Sequence, residues 1–331
     1  MGIKPDCIKP NSVKSYFGFL SPKGRQVNIN LCTDAKYHNL ALMKISAWHK
    51  ANGDQVWLNG VGKFDLTYGS WLFDFTEKVP CDIEGGPYFV ETYGDNHQKG
   101  TRFTGRHNHS GTIQQVASME SVERLFRCET NEMYPDYSLF NLDYSLGYTF
   151  RFCPRLCPFC KVPNMYHKGD RSHDSIYSFH DKRYDKIRLL NNNTFADPQW
   201  KETFEEIWDA NLTVIDENGY DLRFMDEEKA DALRKTKFKG KIHYAWDLMK
   251  DERKILDGLM IAPKGIVYVL IGYNTTQEED FYRCQKIHNL GHDPYIMPYN
   301  RTKQERRFQR FVNTRMYRRY SSIKEAWKDY K

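Results

Sequence analysis

The stretch GYTFRFCPRLCPFCKVP, residues 147–163, gathers three of the chain's eight cysteines within eight positions. Cys153, Cys157 and Cys160 have the spacing C-x3-C-x2-C and follow an aromatic run that is typical of a strand. Pro154 and Pro158 restrict the backbone between them, so the sequence predicts a constrained loop after a strand. Three thiols on one short loop indicate joint chemistry, either with a metal or as a redox pair.

Apolar, β-rich runs recur from this stretch to residue 299, and segments of helical periodicity separate them. The runs are LGYTFRF at 146–152, KIRLLNN at 186–192, TVIDENG at 213–219, KIHYAWD at 241–247, VYVLIGY at 267–273 and DPYIMPY at 293–299. Their starts lie 26 to 40 residues apart, and about 30 residues is what a strand, a crossover helix and two loops require. The spacing predicts an α/β fold with six parallel strands, either an open sheet or a curved barrel, with ligands at the carboxyl ends of the strands.

The repeat also indicates how the whole chain is organised. Residues 1–113 have the pattern of a small α/β domain, 114–145 form a bridge, 146–300 contain the repeat and 301–331 form a basic extension. The longest apolar runs are far shorter than the roughly 20 residues of a membrane span, and no signal-peptide pattern opens the sequence. We therefore expect a cytoplasmic protein without a membrane partner, whose cysteines are thiols or metal ligands rather than disulfides.

Three kinds of site compete for the cysteine triad. A structural zinc site needs four tetrahedral ligands, and Cys128, His167 or His173 can supply only one more. A thioredoxin-type dithiol would use Cys157 and Cys160 and leave the first cysteine without a role. A four-iron cluster uses all three thiolates and leaves one iron open, as catalytic metal sites do.

The triad, with Phe159 directly before its last cysteine and after the first strand of a βα repeat, resembles the signature of the radical S-adenosylmethionine (SAM) superfamily. KIRLLNNN, NGYDLRFMDEE and VLIGYNTTQEEDFYR are similar to segments of uncharacterised radical SAM proteins of phages and metagenomes, over about 146–300. The resemblance implies a partial (β/α)6 barrel after a small Rossmann-like domain, a degenerate relative of cobalamin-binding domains. We expect no cobalamin, on the expectation that this domain lacks the cobalt-ligand signature D-x-H-x-x-G.

The resemblance also implies the cofactors and the chemistry. In this superfamily the amino and carboxylate groups of SAM bind the open iron of a 4Fe-4S cluster, and reductive cleavage gives a 5′-deoxyadenosyl radical that abstracts hydrogen from a substrate. A low-potential electron donor of the flavodoxin or ferredoxin type and sensitivity to oxygen are implied as well. The SAM contacts implied by position are Phe159, Asn191, Asn192, Asn193, Gly219, Asp221, Arg223, Asp247, Ile271, Gly272, Tyr273 and Tyr299.

The resemblance assigns each residue a part of SAM to bind, according to the strand at whose carboxyl end the residue lies. Asn191–Asn193 stand where the family binds the methionine amino group with Gly-Gly-Glu, and they offer amide oxygens without charge. Arg223 is expected to bind the methionine carboxylate, Asp247 the ribose hydroxyls and residues 271–273 the adenine. A structural role stays open for each: the asparagines can form a turn, the arginine can pair with Asp226, and the tyrosines can belong to the core.

The extension 301–331 holds eleven Lys and Arg against three acidic residues, a local charge of +8. Its interleaved aromatic residues are Phe308, Phe311, Tyr317, Tyr320, Trp327 and Tyr330. Such a segment can bind a phosphate backbone and stack on bases. It can also form terminal helices that pack their aromatic side on the body of the protein, which we favour because charge runs usually face water. The alternative to a radical SAM enzyme, possibly one that acts on nucleic acid, is a non-catalytic protein that binds zinc or nucleic acid on an α/β scaffold.

Overall fold

The computed structural model describes residues 26–73, 75–89, 92, 133–165, 171–215 and 218–330. The chain divides into two compact units, Met1–Asp143 with Arg155–Gly169 and Tyr144–Pro154 with Asp170–Lys331. Most of the bridge predicted at 114–145 lies outside the described residues. Within the described ranges, no helix combines the length and the apolar character that crossing a bilayer requires.

The first unit contains a parallel four-stranded sheet with the order β2-β1-β3-β4. Its elements are β1 (Asn28–Thr33), α1 (Leu40–Ala51), β2 (Gln55–Leu58), β3 (Leu66–Ser70), β4 (Ile83–Gly85) and the short α2 (Val162–Met165). Strand β1 is central and buried from Ile29 onward, as expected for a parallel sheet. Asn39 caps α1, because its side-chain oxygen accepts from the Leu42 N–H at 3.2 Å. A βαβ crossover thus organises this unit.

A buried polar network joins the end of α1 to the sheet of the first unit. His49 Nδ1 lies 2.7 Å from Asp54 Oδ2, and His49 Nε2 lies 3.0 Å from the Tyr68 hydroxyl. Burial lowers the pKa of His49, although the hydrogen bond to Asp54 opposes that shift. The imidazole therefore holds helix and strands together with both ring nitrogens in contact with polar partners.

The second unit contains two parallel sheets, with the strand orders β5-β6-β7-β8 and β9-β10-β11. The strands are β5 (Ser145–Gly147), β6 (Lys186–Leu189), β7 (Thr213–Ile215), β8 (Lys237–Phe238), β9 (His243–Ala245), β10 (Ile266–Ile271) and β11 (Asp293–Pro298). An isolated parallel bridge between Tyr220 and Tyr244 joins the chain after β7 to β9. Each run predicted from the sequence overlaps one strand, and β8 is a further short strand. The predicted α/β class with parallel strands is confirmed.

Helices follow these strands and cover one face of the sheets. They are α3 (Trp200–Asp209), α4 (Glu227–Lys235), α5 (Glu252–Ile261), α6 (Gln277–Asn289), α7 (Lys303–Asn313) and α8 (Ile323–Asp329). Val267 and Val269 of β10 belong to one buried cluster with Leu259 of α5 and Cys284 of α6. Cys284 is therefore a packing residue, as predicted, and burial raises the pKa of its thiol. The alternate residues of β10, such as Tyr268, are only half-buried and face away from the helices.

The basic extension packs its aromatic side inward. Phe308, Phe311 and Tyr317 are at most 2% exposed, and they share the core of the second unit. These three rings cannot stack on bases, so that interpretation is wrong for them and the packing interpretation is confirmed. Trp327 and Tyr330 are partly buried against the same core. The lysines and arginines described in this segment remain exposed.

Candidate metal and cofactor site

The cysteine triad lies on an irregular loop between β5 and α2. Cys153, Cys157 and Cys160 are half-buried thiols that form no disulfide. The Cys160 backbone N–H donates to the Cys157 carbonyl at 3.0 Å, and the Val162 N–H donates to the Cys160 Sγ at 3.4 Å. Hydrogen bonds to sulfur stabilise the negative charge of a metal-bound thiolate, so this loop can support thiolate ligands.

Asn191, at the end of β6, uses its carboxamide within the protein. Its Oδ1 accepts from the backbone N–H groups of Thr149 and Phe150 at 2.9 and 3.1 Å. Its Nδ2 donates to the hydroxyls of Thr149 and Thr194 at 2.8 and 3.3 Å. An amide can accept two bonds and donate two, so Asn191 is saturated. Its observed role is to hold the chain that leads from β5 to Cys153, whereas the predicted SAM contact stays a prediction.

Asn193, two residues later, is 4% exposed and bonded differently. Its Nδ2 donates to Asp221 Oδ2 at 2.9 Å and lies 3.8 Å from the Cys153 Sγ. Its buried Oδ1 has no hydrogen-bond donor among the described residues. Asn192 is half-buried and donates to the Arg151 carbonyl at 2.6 Å. Of the three asparagines, Asn193 is therefore the one that contacts a cysteine and keeps an acceptor for a ligand.

Asp221 and Arg223 form the next part of the same network. Arg223 binds Asp221 in a bidentate manner, with Nε–Oδ1 at 2.7 Å and Nη2–Oδ2 at 3.0 Å. Its Nη1 also donates to Asp251 Oδ2 at 2.8 Å. Burial by itself would lower the pKa of Arg223, but the hydrogen bonds to Asp221 and Asp251 raise it overall. The observed partners differ from the sequence alternative Asp226, which instead caps α4 through the Lys229 N–H.

Asp247 lies just beyond the end of β9, as predicted, in a site where its charge is poorly solvated. Burial raises the pKa of its carboxyl group to about 6, although Arg223 and Arg283 lower it and Asp221 raises it further. The side chain still has some exposed surface. This carboxyl group therefore changes charge near neutral pH, and in the ionised form it can accept hydrogen bonds from hydroxyl groups.

The remaining predicted contacts lie near the ends of β7, β10 and β11 and on the cysteine loop. Gly272 has φ +76°, and a Cβ there would collide with the Glu305 carboxylate, so glycine is required. Tyr273 and Tyr299 are in edge-to-face contact, with ring centroids 5.0 Å apart. Ile271 is buried in the core. Gly219 has φ +78° and approaches the carbonyl of His243 after β7, and Phe159 is half-buried on the cysteine loop.

Arg283 on α6 is a residue that the sequence analysis missed. It is fully buried, and its guanidinium donates to the carbonyls of Trp246 and Leu270 at 2.8 Å each and of Asp247 at 3.1 Å. It also pairs with Asp280 Oδ1 at 2.6 Å. Arg283 thus fixes the carboxyl ends of β9 and β10 relative to α6. A signal was present in the sequence, because Arg283 shares the apolar helix face of Ile287, where a charge needs a partner.

Among the residues that the structure describes, the candidate metal ligands do not converge, and this includes the side chains of Cys153, Cys157 and Cys160. Within the described ranges, no group of three or more His, Cys, Asp or Glu side chains is arranged around one ion position. His173 pairs through Nδ1 with Asp197 Oδ2 at 2.6 Å, whereas Cys128 and His167 lie outside the described residues. Residues 95–100 read DNHQKG and do have the spacing D-x-H-x-x-G, but they follow β4 instead of β1 and are also not described. The expected absence of cobalamin stays a prediction.

No protein-family model, curated protein or solved structure matches this chain. The function is therefore argued from the residues of the site.

Proposed function

We propose that this chain is a radical SAM enzyme, in which Cys153, Cys157 and Cys160 hold a 4Fe-4S cluster and SAM lies at the carboxyl ends of the strands of the second unit. The observation that carries the proposal is the buried Oδ1 of Asn193, an acceptor beside Cys153 that has no donor among the described residues. Leaving such an atom unpaired costs about 1–3 kcal/mol. A ligand with an amino group, such as SAM, would supply the missing donor.

The donor set of the loop fits an iron–sulfur cluster. Three thiols are present, and amide N–H groups are directed at the sulfur atoms of Cys153 and Cys160. Such bonds tune the potential of iron–sulfur clusters. A cluster held by Cys153, Cys157 and Cys160 would supply the one electron needed to cleave SAM reductively into methionine and a 5′-deoxyadenosyl radical, which would abstract hydrogen from the substrate.

The residues of this chain bind and orient SAM in the proposal. Asn193 accepts from the methionine amino group at Oδ1. Arg223 has five N–H donors and uses three in the bonds to Asp221 and Asp251, so it keeps two for the methionine carboxylate. Asp247 accepts from the ribose hydroxyls, and Tyr273 packs against the adenine.

The strand order supports a partial (β/α)6 barrel. β5, β6 and β7 are neighbours in sequence order, and the bridge between Tyr220 and Tyr244 continues the order to β9, β10 and β11. In such a barrel the carboxyl ends would converge on one opening, and in the proposal Cys153, Asn193 and Asp221 line it. The sheet order of the first unit agrees with the small Rossmann-like domain that the resemblance implies.

The test is anaerobic reconstitution of the full chain with iron and sulfide, followed by dithionite in place of the natural low-potential donor, and SAM. Iron, sulfide, zinc and cobalt are measured together with 5′-deoxyadenosine. Cys157→Ala is the test variant and Cys284→Ala, at a buried packing cysteine, is the matched control. We expect about four irons and 5′-deoxyadenosine from the wild type and the control, and a loss of product in Cys157→Ala.

Two outcomes would contradict the proposal. Stoichiometric zinc without iron or sulfide in anaerobically prepared protein would favour the non-catalytic zinc protein. Equal cluster content in Cys157→Ala and the wild type would remove the triad from the site. Air exposure before the assay is expected to abolish product formation.

A further inference from the structure

The face of β11 that points away from the helices exposes three large side chains in a row. Tyr295, Met297 and Tyr299 are 37%, 44% and 40% exposed. They alternate along the chain with the buried Ile296, which lies beneath α7. At about 3.3 Å per residue, the two tyrosines are about 13 Å apart, a distance that two or three nucleotides can span.

Neighbouring rings brace these tyrosines. Tyr295 is in edge-to-face contact with Tyr268 of β10, with centroids 5.6 Å apart, and Tyr268 stacks on His243 of β9 at 5.2 Å. Tyr299 has the equivalent contact with Tyr273. The two exposed rings are therefore held in place before any partner binds, which reduces the entropy cost of stacking.

The free edge of β11 is closed to another strand. The N–H groups of Asp293 and Tyr299 point to β10, so those of 294, 296 and 298 point outward. Pro294 and Pro298 have no N–H, and the Ile296 N–H donates to Asn313 Oδ1 of α7 at 2.7 Å. The Ile296 carbonyl accepts from Gln309 and Asn313, at 3.2 Å each. A peptide cannot extend this sheet as a new strand, so a partner must be bound by side chains.

Positive charge lies at both ends of the exposed row. At the amino end, Asp293 pairs with Lys241, Arg315 and Arg318, and three cations with one carboxylate leave a charge of +2. At the carboxyl end, Arg301 and Lys303 are exposed directly after Tyr299. Aromatic platforms flanked by cations are the features that bind single-stranded nucleic acid.

We propose that a single-stranded nucleic acid lies along β11, with bases stacked on Tyr295 and Tyr299 and phosphates on the cations at the two ends. Tyr299 is at the carboxyl edge of the sheet, where the SAM site is proposed, so the bound strand delivers a nucleotide to that site. The binding rests on the geometry of β11, whereas the role of this nucleic acid as the substrate rests on the proposed function.

The test uses the anaerobically reconstituted full chain and a short labelled single-stranded RNA, with DNA of the same sequence and the duplex for comparison. Binding is measured by fluorescence anisotropy at several salt concentrations. Tyr295→Ala is expected to weaken binding about fivefold to a hundredfold, as loss of one stacked base does. Tyr295→Phe keeps the ring and should bind as the wild type. Tyr177→Ala, at a tyrosine outside β11 that is somewhat more exposed than Tyr295, is the matched control.

The cations have their own pair of variants. Arg301→Gln with Lys303→Gln should weaken binding and reduce the slope of log K against log salt by about 1.4, at about 0.7 for each lost phosphate contact. Arg253→Gln with Lys254→Gln, at exposed positions of α5, should change neither quantity. Because all these residues are exposed or at the surface, thermal melting should confirm that each variant remains folded.

The inference would be overturned if neither single strand bound at low salt, or if Tyr295→Ala and Tyr177→Ala weakened binding equally. It would also be overturned if the two pairs of cation variants had equal effects on affinity and salt slope, or if an acidic peptide displaced the RNA as efficiently as unlabelled RNA does. Cys157→Ala separates this inference from the proposed function, since it should lose 5′-deoxyadenosine formation and keep RNA binding. Intact SAM cleavage without nucleic-acid binding would refute only the inference made here.

Discussion

Two networks of buried polar side chains, one in each unit, differ in how completely their atoms are paired. In the first unit, both ring nitrogens of His49 have partners, in Asp54 and Tyr68. At the strand ends of the second unit, Asn193 pairs its Nδ2 with Asp221 but leaves its Oδ1 without a donor. Because buried polar atoms are nearly always paired in folded proteins, stability explains the first network, and the unpaired atom of the second supports the proposal of a ligand there.

Buried charge alone does not make this distinction. Arg283 is as deeply buried as His49, yet three of its partners are backbone carbonyls at the ends of β9 and β10. Such bonds fix the backbone that carries Asp247, although the buried Nε of Arg283 has no acceptor among the described residues. An unpaired buried atom therefore supports a ligand site only where its residue also contacts other candidate site residues, as Asn193 contacts Cys153 and Asp221.

The largest effect is expected at Arg283. Arg283→Met keeps most of the volume but leaves the Asp280 carboxylate and three carbonyls without their donor, so it should lower the free energy of unfolding by about 4–5 kcal/mol. Burial raises the pKa of Asp280 in the wild type, and the positive charge of Arg283 opposes this shift. The loss should therefore be smaller at pH 5 than at pH 8, because the unpaired carboxyl group can take up a proton in the folded state.

Urea unfolding at the two pH values measures this effect. Arg253→Met, at an exposed position of α5, is the control and should change stability by no more than about 0.5 kcal/mol. A similar, small change in both variants would show that Arg283 does not support the strand ends.

The second comparison is between the two buried asparagines. Asn191→Ala leaves the N–H groups of Thr149 and Phe150 without an acceptor and should cost about 2–3 kcal/mol of unfolding free energy. Asn193→Ala loses one bond to Asp221 and relieves an unpaired atom, so it should cost about 1 kcal/mol or less. Its main effect should be weaker SAM binding, measured by equilibrium dialysis with reconstituted protein. Equal stability losses with unchanged SAM binding would remove Asn193 from the site.

These asparagines also show what the sequence can and cannot predict. The spacing of the apolar runs predicted the parallel strands, because period and length are properties of the chain itself. The same spacing placed Asn191, Asn192 and Asn193 at a strand end. It could not show which side-chain amide has all its hydrogen bonds filled, because this depends on contacts with Thr149 and Phe150, which follow β5. The outcome for Phe308 and Phe311 depended likewise on tertiary packing, because a basic segment with aromatic residues suits both a core and a surface.

Asp247 provides the third test, through pH. Its pKa of about 6 in the folded state lies above the ordinary value of 3.8. Between pH 3.8 and pH 6 the Asp247 carboxyl group is therefore protonated in the native state but ionised in the unfolded state. The free energy of unfolding should therefore fall as pH rises from about 4 to 6. Asp247→Asn removes this dependence and should be more stable than the wild type by about 2–3 kcal/mol at pH 7 and about equal at pH 4. A stability difference between Asp247→Asn and the wild type that stays constant from pH 4 to pH 7 would contradict the raised pKa of Asp247.

The smallest effect, of opposite sign, is expected at His49. Burial lowers its pKa below the ordinary value of 6.5, so between the folded pKa and 6.5 the unfolded state binds the extra proton and stability falls as pH decreases. His49→Gln should lose this dependence while the wild type keeps it, in urea unfolding followed from pH 7 to pH 5. Opposite pH slopes for the His49 and Asp247 contributions would show that burial favours the neutral form of both groups, which is the imidazole in one network and the carboxylic acid in the other. If both slopes had the same sign, burial would not be what sets the charge of these two groups.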